Sequence, residues 1–451
     1  MANDTASKVK QIIGVIDKWL DYQTYIREVP GVAVGISVGE ETIFAKGYGF
    51  ADLAEGRPVT PDTRFRIASH SKTFTATAVM QLVADGALRL DDRVVDHLPW
   101  FRAESDDNLE HVTLRQLLSH SSGLIRDGDT GHWSHDRFPD LPEIVRQVAD
   151  GPSVYPSNEH LKYSNFAYTL AGQVIEAVTG TSYEEHITGA ILDQLGLDST
   201  TADLPDDMSG HATGYSRRFP GNPRTPLDHV AAKVMNAATG FSSTVNDLLR
   251  WYQAHLIGNS RLLNDWDKRE MQRLQYEDRT YRWGVGFEHS KVGDLSFVGH
   301  GGGYPGFITF SSLNQKHELA IVVLTNAIDG PAGIFFEGIV KLIAKALSDE
   351  FDGDLDESFD RFGGLYADRW RVEVVDRVGG TLVSLNADSI DPTLTLEAHE
   401  LVEGFRFRAP ETLAISSPGE EFWFEEVDGE PRIAYPGGFT ARFRRPRSGN
   451  A

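Results

Sequence analysis

Strand-forming sequence comes in two places far apart in the first 350 residues, and almost everything between them reads as helix and loop. GVAVGISV (31–38) and ETIFAKGYGF (41–50) are apolar, strand-length runs joined by Gly39-Glu40, as in an antiparallel hairpin. The signal lapses until LSFVGH (295–300), GFITFSSL (306–313) and LAIVVLTN (319–326), the last two linked by NQKHE. A parallel sheet would alternate strand with helix. This order instead predicts one antiparallel sheet completed by both ends of a domain, with a helical insertion. Helical periodicity marks 7–25 before the hairpin and 72–84 after it. It returns at 113–119, 141–149, 165–178, 183–195 and 244–256, and once more at 332–347.

Past this point the pattern changes. The acidic run SDEFDGDLDES (348–358) reads as a linker. WRVEVV, GTLVSL, PTLTLEA, EEFWFEEV and FTARFRR then follow, divided by GG, NADS, SPGE and DGE turns. Short strands at this spacing predict a small antiparallel barrel or sandwich. Its core is expected from Trp370, Val372, Leu382, Leu394, Phe405, Phe422, Phe424 and Phe443. The predicted domains are therefore 1–350 and 351–451, in an α+β chain.

Charge and composition narrow the function. With 43 basic against 66 acidic residues the chain carries −23, a field that repels nucleic acid and anionic membrane. No run approaches the roughly 20 apolar residues of a membrane-spanning helix. MANDTASKVKQ lacks the apolar core of a signal peptide, so a cytoplasmic protein is expected. There is no cysteine, which excludes disulfides, thiolate nucleophiles and cysteine zinc sites. Covalent catalysis is left to Ser, Thr, Lys or a carboxylate, and neither cofactor nor metal is expected.

Several motifs fail on context. Gly35-x-Ser37-x-Gly39 matches a nucleophile elbow but lies in a strand followed by another strand, where the chemistry needs a strand-to-helix turn. Gly301-x-Gly303-x-x-Gly306 matches a dinucleotide fingerprint, yet Pro305 and a strand stand where the phosphate-binding helix should begin. His132 and His135 are spaced like metal ligands without a third beside them, and Ser7-x-x-Lys10 has nothing around it.

Three motifs hold. Ser69-His70-Ser71-Lys72 enters the apolar helix after TRFRIAS, and one helical turn brings residues i and i+3 to one face. A buried lysine there loses proton affinity and can accept the serine proton. The alternative is a helix cap at Ser69 with a solvated Lys72. Tyr163-Ser164-Asn165 opens the helix NFAYTLAGQVIEAV, and a Tyr beside a lysine ammonium ionises more readily and can serve as general base. Asn165 can orient the lysine or a substrate carbonyl. His300-Gly301-Gly302-Gly303 follows the strand LSFVG, and its glycines let a backbone N–H approach a substrate oxygen, as an oxyanion hole requires. A glycine-rich turn is the alternative there.

FRIASHSKTFTATAVMQLVADGALRLDD, LLSHSSGL, Tyr163-Ser164-Asn165, AATGFSSTVNDLLRW and VGHGGGYPGF occur in an order that resembles the penicillin-recognising serine hydrolases. That family includes class C β-lactamases, D,D-carboxypeptidases, D-aminopeptidases and carboxylesterases, and the resemblance covers about residues 25 to 347. It implies a β-lactamase-like α/β sandwich, an antiparallel sheet flanked by helices with an all-helical region. It implies that Ser69 is the nucleophile, Lys72 its proton partner, Tyr163 the base and Asn165 a positioning group. The Ser69 and Gly303 N–H groups would form the oxyanion hole beside His300, Gly301 and Gly302. Where β-lactamases carry Lys-Thr-Gly, this chain has His-Gly-Gly, and a neutral imidazole holds a carboxylate less well than an ammonium does.

The sequence thus points to a metal-independent serine hydrolase acting through an acyl-enzyme. Its substrates would be small amides or short peptides, D-residues among them, or carboxylic esters. A β-lactamase or D,D-carboxypeptidase is the enzymatic alternative, and a non-catalytic binding protein on the same fold is the other. A homo-oligomer stays open, and no candidate catalytic residue lies in 351–451.

Overall fold

The computed structural model describes residues 2–348, 350–411 and 418–443. Helix α1 (Ala2–Ile26) precedes the hairpin of β1 (Gly31–Val38) and β2 (Glu41–Asp52), whose partner β3 (Arg57–Pro58) is only two residues long. Then come α2 (Ser71–Ala84), α3 (Asn165–Thr179) and α4 (Val245–Ala254) within the insertion. The remaining strands of the sheet are β4 (Tyr276–Glu277), β5 (Arg282–Trp283), β6 (Glu288–Val292), β7 (Leu295–Tyr304), β8 (Phe307–Asn314) and β9 (Leu319–Thr325). Their order is β3-β2-β1-β9-β8-β7-β6-β5-β4, antiparallel throughout. The first long strand and the last meet at its centre, in register from Val32 opposite Thr325 to Val38 opposite Leu319. Both are buried along their whole length, which is why they read as unbroken apolar runs. Ser37 is buried within β1, and β8 follows Gly306, so neither rejected glycine motif meets its helix.

Helix α2 is buried on nearly every side, so its polar residues satisfy themselves locally. Thr73, Thr75 and Thr77 donate to the carbonyls of His70, Ser71 and Thr73. Phe74 stacks on Trp251 of α4 at 3.8 Å. Helix α3 is capped by Ser164, whose hydroxyl accepts the Ala167 N–H at 2.9 Å, and ends at Gly180 with φ +71°.

Two local expectations change and one alternative falls away. Residues 183–195 form Tyr183–Ile187 and Asp193–Leu195 with a π-turn, Thr188–Leu192, between them. The His300 glycines do not make a turn, because β7 runs straight through them to Tyr304. In PTLTLEA, Pro392–Thr395 is a 3-10 turn and a strand starts only at Glu397, since proline presets the turn and cannot donate to a ladder.

The C-terminal strands close into an eight-stranded antiparallel barrel, β10 (Gly364–Ala367), β11 (Val372–Val378), β12 (Thr381–Asn386), β13 (Glu397–Glu403), β14 (Arg406–Arg408), β15 (Glu421–Val427), β16 (Glu430–Tyr435) and β17 (Gly438–Arg442). The last residues of FTARFRR, Arg444 and Arg445, and Ser417 of the SPGE turn lie outside the described residues. Phe359, Phe362, Tyr366, Phe407 and Phe424 fill one part of its interior. Of the expected core, Leu382 and Phe424 are buried, whereas Trp370, Leu394 and Phe405 are 89, 72 and 42% exposed. Those three sit in turns, where the in–out alternation of a strand does not apply.

Packing divides the chain into Val29–Gly333 and a second unit of Met1–Glu28 with Ile334–Ala451. This differs from a boundary at 350, because α1 and the helix α5 (Ala332–Leu347) group with the barrel. Lys18 reaches Asp376 at 2.7 Å, Trp19 donates to the Ser389 carbonyl at 3.0 Å, and Lys341 reaches Asp391 at 2.7 Å. Among the described residues no helix is long and apolar enough to cross a membrane.

The Trp19 ring packs edge-on to Phe335 and lies over Gly338 of α5 so closely that a Cβ there would overlap it. Gly338→Ala should therefore destabilise the protein despite alanine's better helix propensity. Overpacking costs roughly 1–3 kcal/mol and the propensity gain returns about 1. Urea unfolding measures the difference, and a more stable variant would show that the ring yields freely.

Candidate active site

Ser69 lies in a 3-10 turn, Ala68–His70, between the two-residue strand Phe65–Arg66 and α2. Ala68 before it has φ +51°, a left-handed conformation that costs free energy in any residue but glycine. In the run 65–72 only Ser69 is accessible to solvent. The surrounding hydrogen bonds fix the turn. Ser71 Oγ donates to the Ala68 carbonyl at 2.6 Å and accepts the Phe241 N–H at 3.1 Å, while His70 Nδ1 donates to the Ile67 carbonyl at 2.7 Å. Helix α2 begins at Ser71, and Ser69 makes no capping bond.

The hydroxyl is engaged by the expected partners instead. Lys72 Nζ donates to Ser69 Oγ at 3.2 Å, and the Tyr163 hydroxyl donates to it at 2.8 Å. Lys72 is wholly buried and also donates to Asn165 Oδ1 and to the Ala238 carbonyl, both at 2.7 Å. Asn165, first residue of α3, uses its amide to donate to Asp127 at 2.5 Å. His300 is buried on β7, its ring centre 6.4 Å from that of Tyr163 and 6.1 Å from that of His70. Gly301, Gly302 and Gly303 continue the strand past the Ser69 turn, and Gly303 is exposed. A Cβ on Gly302 would overlap the Ile67 carbonyl oxygen and the Thr309 hydroxyl. The glycine is needed there for close approach, not for a turn.

Burial weakens the hold of the central basic groups on their protons. Burial pushes Lys72 well below the ordinary lysine value, with Asp127 opposing and Arg126 adding to the effect. Burial also lowers His70 to about 4 and holds His120 and His300 well below the usual imidazole range. The Tyr163 phenol moves against expectation. Burial raises it, and the hydrogen bond to Ser69 and the nearby Arg126 only partly offset that, so the lysine does not make it easier to ionise. His300 Nδ1 donates to the Gly301 carbonyl, which leaves Nε2 as the basic nitrogen of a neutral ring.

Several groups here have roles that the sequence does not assign. His120, in LLSHSSGL, accepts the Ser164 N–H through Nδ1 at 3.1 Å and lies 4.4 Å from the Tyr163 ring. Trp283 of β5 packs 5.7 Å from Tyr163 and 5.1 Å from His300. Burial opposes ionisation of Asp127, but His132 Nε2 at 3.8 Å, the Asn165 amide at 2.5 Å and Trp133 outweigh it and hold the carboxyl at about 2. His132 thus belongs to the shell behind Asn165. The local sequence marks His132 only as half of a histidine pair and His120 only as part of LLSHSSGL, because the roles of these residues arise from chain segments far from them.

Glu288, at the start of β6, accepts the Gly301 N–H, yet burial raises its carboxyl from 4.5 to about 7. The folded protein then binds this proton more tightly than the unfolded chain does. The contribution to stability is full below about pH 4.5 and is lost as pH rises to about 7. Glu288→Gln removes that loss. Relative to the variant, wild type should lose on the order of 2–3 kcal/mol between pH 4.5 and pH 8 in urea unfolding. A constant difference across that range would show an ordinary carboxylate.

Comparison with known proteins places the fold. The family model described as Beta-lactamase matches residues 16–333. Protein flp of Staphylococcus aureus (strain N315) is 27% identical over 318 residues, 69% of this chain and 62% of its own, so the chain spans less than two-thirds of that relative. Among solved structures, the octameric penicillin-binding protein homologue from Pyrococcus abyssi superposes with a TM-score of 0.67 at 21% identity, covering 95% of this chain and 100% of that one. The D-amino acid amidase from Ochrobactrum anthropi SV3, complexed with D-phenylalanine, gives 0.63 at 25% identity over 75% of this chain and 99% of its own. Because the matched segment holds the whole sheet and every residue that meets at Ser69, the chain belongs to the beta-lactamase family.

Proposed function

We propose that the protein is a serine hydrolase that works through an acyl-enzyme at Ser69 on small amides, short peptides or carboxylic esters, with D-configured residues among its substrates. One observation carries the reading. A solvent-accessible serine hydroxyl is held at once by a buried lysine at 3.2 Å and a tyrosine hydroxyl at 2.8 Å. A pure binding site has no need of a lysine kept short of its charge.

The proton path follows from the electrostatics. Lys72 in its amine form takes the proton as Ser69 Oγ attacks the carbonyl carbon. Charge developing on the carbonyl oxygen is met by the N–H groups of Ser69 and Gly303. When the tetrahedral species collapses, Tyr163 gives its proton to the departing amine or alcohol and recovers one from Lys72. Water then attacks the ester, delivering its proton back along the same path, and the acid leaves with Ser69 restored. Asn165, tied to Asp127, holds the lysine amine in line. Tyr163 is thus a relay and not the first acceptor, since burial keeps it a phenol.

His300 is neutral, which favours substrates without a carboxylate to be clamped at that position, in keeping with the amidase activity that the relative's name carries. β-Lactam hydrolysis is the second reading, favoured by the family match.

A fluorophosphonate probe should add its mass to the Ser69 peptide, and labelling that survives Ser69→Ala unchanged would overturn the assignment. Tyr163→Phe should lower kcat on the order of 10²-fold or more. Lys72→Arg should not restore turnover, because a guanidinium does not release its proton near neutrality. Turnover of D- and L-amino acid amides, p-nitrophenyl esters and a chromogenic cephalosporin, compared side by side, separates the two readings.

A further inference from the structure

The closed barrel contains a cavity of about 580 Å³, within the size range of sites for small organic ligands. Phe362, Phe407 and Phe424 pack as a solid core, whereas the cavity adds polar groups to an apolar wall. Val375, Leu382, Phe422 and Ile433 supply the apolar part. Among the described residues the wall carries five carboxyl groups, Asp368, Glu373, Glu397, Glu420 and Glu421, against a single guanidinium, Arg371. Arg371 is paired with Glu373 at 3.0 Å. Glu397 is almost wholly buried.

Two further groups point to a missing occupant. His399 is buried, with Nε2 on the Ser384 hydroxyl at 2.8 Å and Nδ1 without any partner. Burial also lowers its pKa to about 4, so the ring is a neutral imidazole near neutral pH. The Thr440 hydroxyl, 2% exposed, has none either. Buried polar atoms are nearly always hydrogen-bonded, and one left alone costs about 1–3 kcal/mol. Two of them facing one acidic, partly apolar cavity is the arrangement of a site that awaits a donor-rich ligand.

We propose that the barrel binds a small primary amine with an apolar or aromatic body, its ammonium held by Glu373, Glu397, His399 and Thr440 and its body lying against Val375, Leu382, Phe422 and Ile433. An ammonium offers three donors and no acceptor, which suits a wall dominated by acceptors. An anion would meet several carboxylates and one already-paired arginine. A bare metal ion suits the site less. The volume far exceeds a coordination sphere, and among the described residues no three His, Cys, Asp or Glu side chains lie close enough together to ligate one metal ion directly. This site is separate from Ser69 and does not depend on the catalytic reading.

The test uses the full chain and three isosteric probes in calorimetry: phenethylamine, phenethyl alcohol and phenylacetate. The amine should bind, with the alcohol and the carboxylate at least roughly ten-fold weaker. Glu373→Gln and Glu397→Gln should each weaken the amine by roughly ten-fold or more, the first by also releasing Arg371 into the cavity. Leu382→Trp, which fills the cavity, should abolish binding. A diazirine-bearing benzylamine places the site without any substitution, since photolabel should appear on peptides from 364–442. Equal binding of the alcohol, label confined to 29–333, or no heat from the amine at millimolar concentration would each overturn the proposal.

Discussion

The protein's chemistry rests on the burial of one lysine. Helix α2 is enclosed on almost every side, so Lys72 has no water and must find its partners in the protein. It finds three: Ser69 Oγ, Asn165 Oδ1 and the Ala238 carbonyl, from three separate chain segments. Taking an ammonium out of water is costly, and only part of that cost is returned by dipoles. The residual penalty weakens the lysine's hold on its proton and lets an amine stand beside a serine. The neighbouring His70, His120 and His300 are kept neutral by the same lack of water. Asp127, held ionised by its hydrogen bonds, acts from behind Asn165 and opposes part of the effect of burial on the lysine.

The fold was legible where burial is uniform or periodic. β1 and β9 pair at the sheet centre with every residue buried, so each spelled itself out as an apolar run. Helices α2 and α3 were placed to within about a residue because serine and glycine mark the ends of α3 and the body of α2 is continuous. Legibility failed where local rules give way to neighbours. The glycines after His300 left a turn open as the alternative to close backbone approach, but pairing from Val298 opposite Leu313 to Tyr304 opposite Phe307 keeps them extended. Trp370 and Leu394 looked like core because they are large and apolar, yet each sits outside the strands. The grouping of α1 with the barrel depends on contacts hundreds of residues apart, such as Lys18 with Asp376, that no local pattern encodes.

The candidate site shows the same division. Ser69, Lys72, Tyr163 and Asn165 were visible because residue type and spacing alone suggest their chemistry, and the structure brings them within hydrogen-bonding distance. Their proton affinities were not visible. Tyr163 was expected to ionise more easily beside a lysine, but desolvation acts on both groups at once, lowering the lysine and raising the phenol. Glu288 and Trp283 enter only through the order β7-β6-β5, a property of the assembled sheet.

The edges of the two β structures carry a consequence for how copies of this protein can meet. The nine-stranded sheet tapers at both ends into two-residue strands, and the barrel closes on itself. A long, open strand edge is a template for another chain's amides, and growth along such edges leads to fibres. Here the barrel offers no such row, but β3 pairs with β2 only at Phe50 and Asp52, so among the described residues the stretch of β2 from Glu41 to Lys46 has no strand along its outer side. Two copies of this chain that met edge to edge would therefore join along β2, where Glu41 and Lys46 place charge on the strand, and not through the barrel.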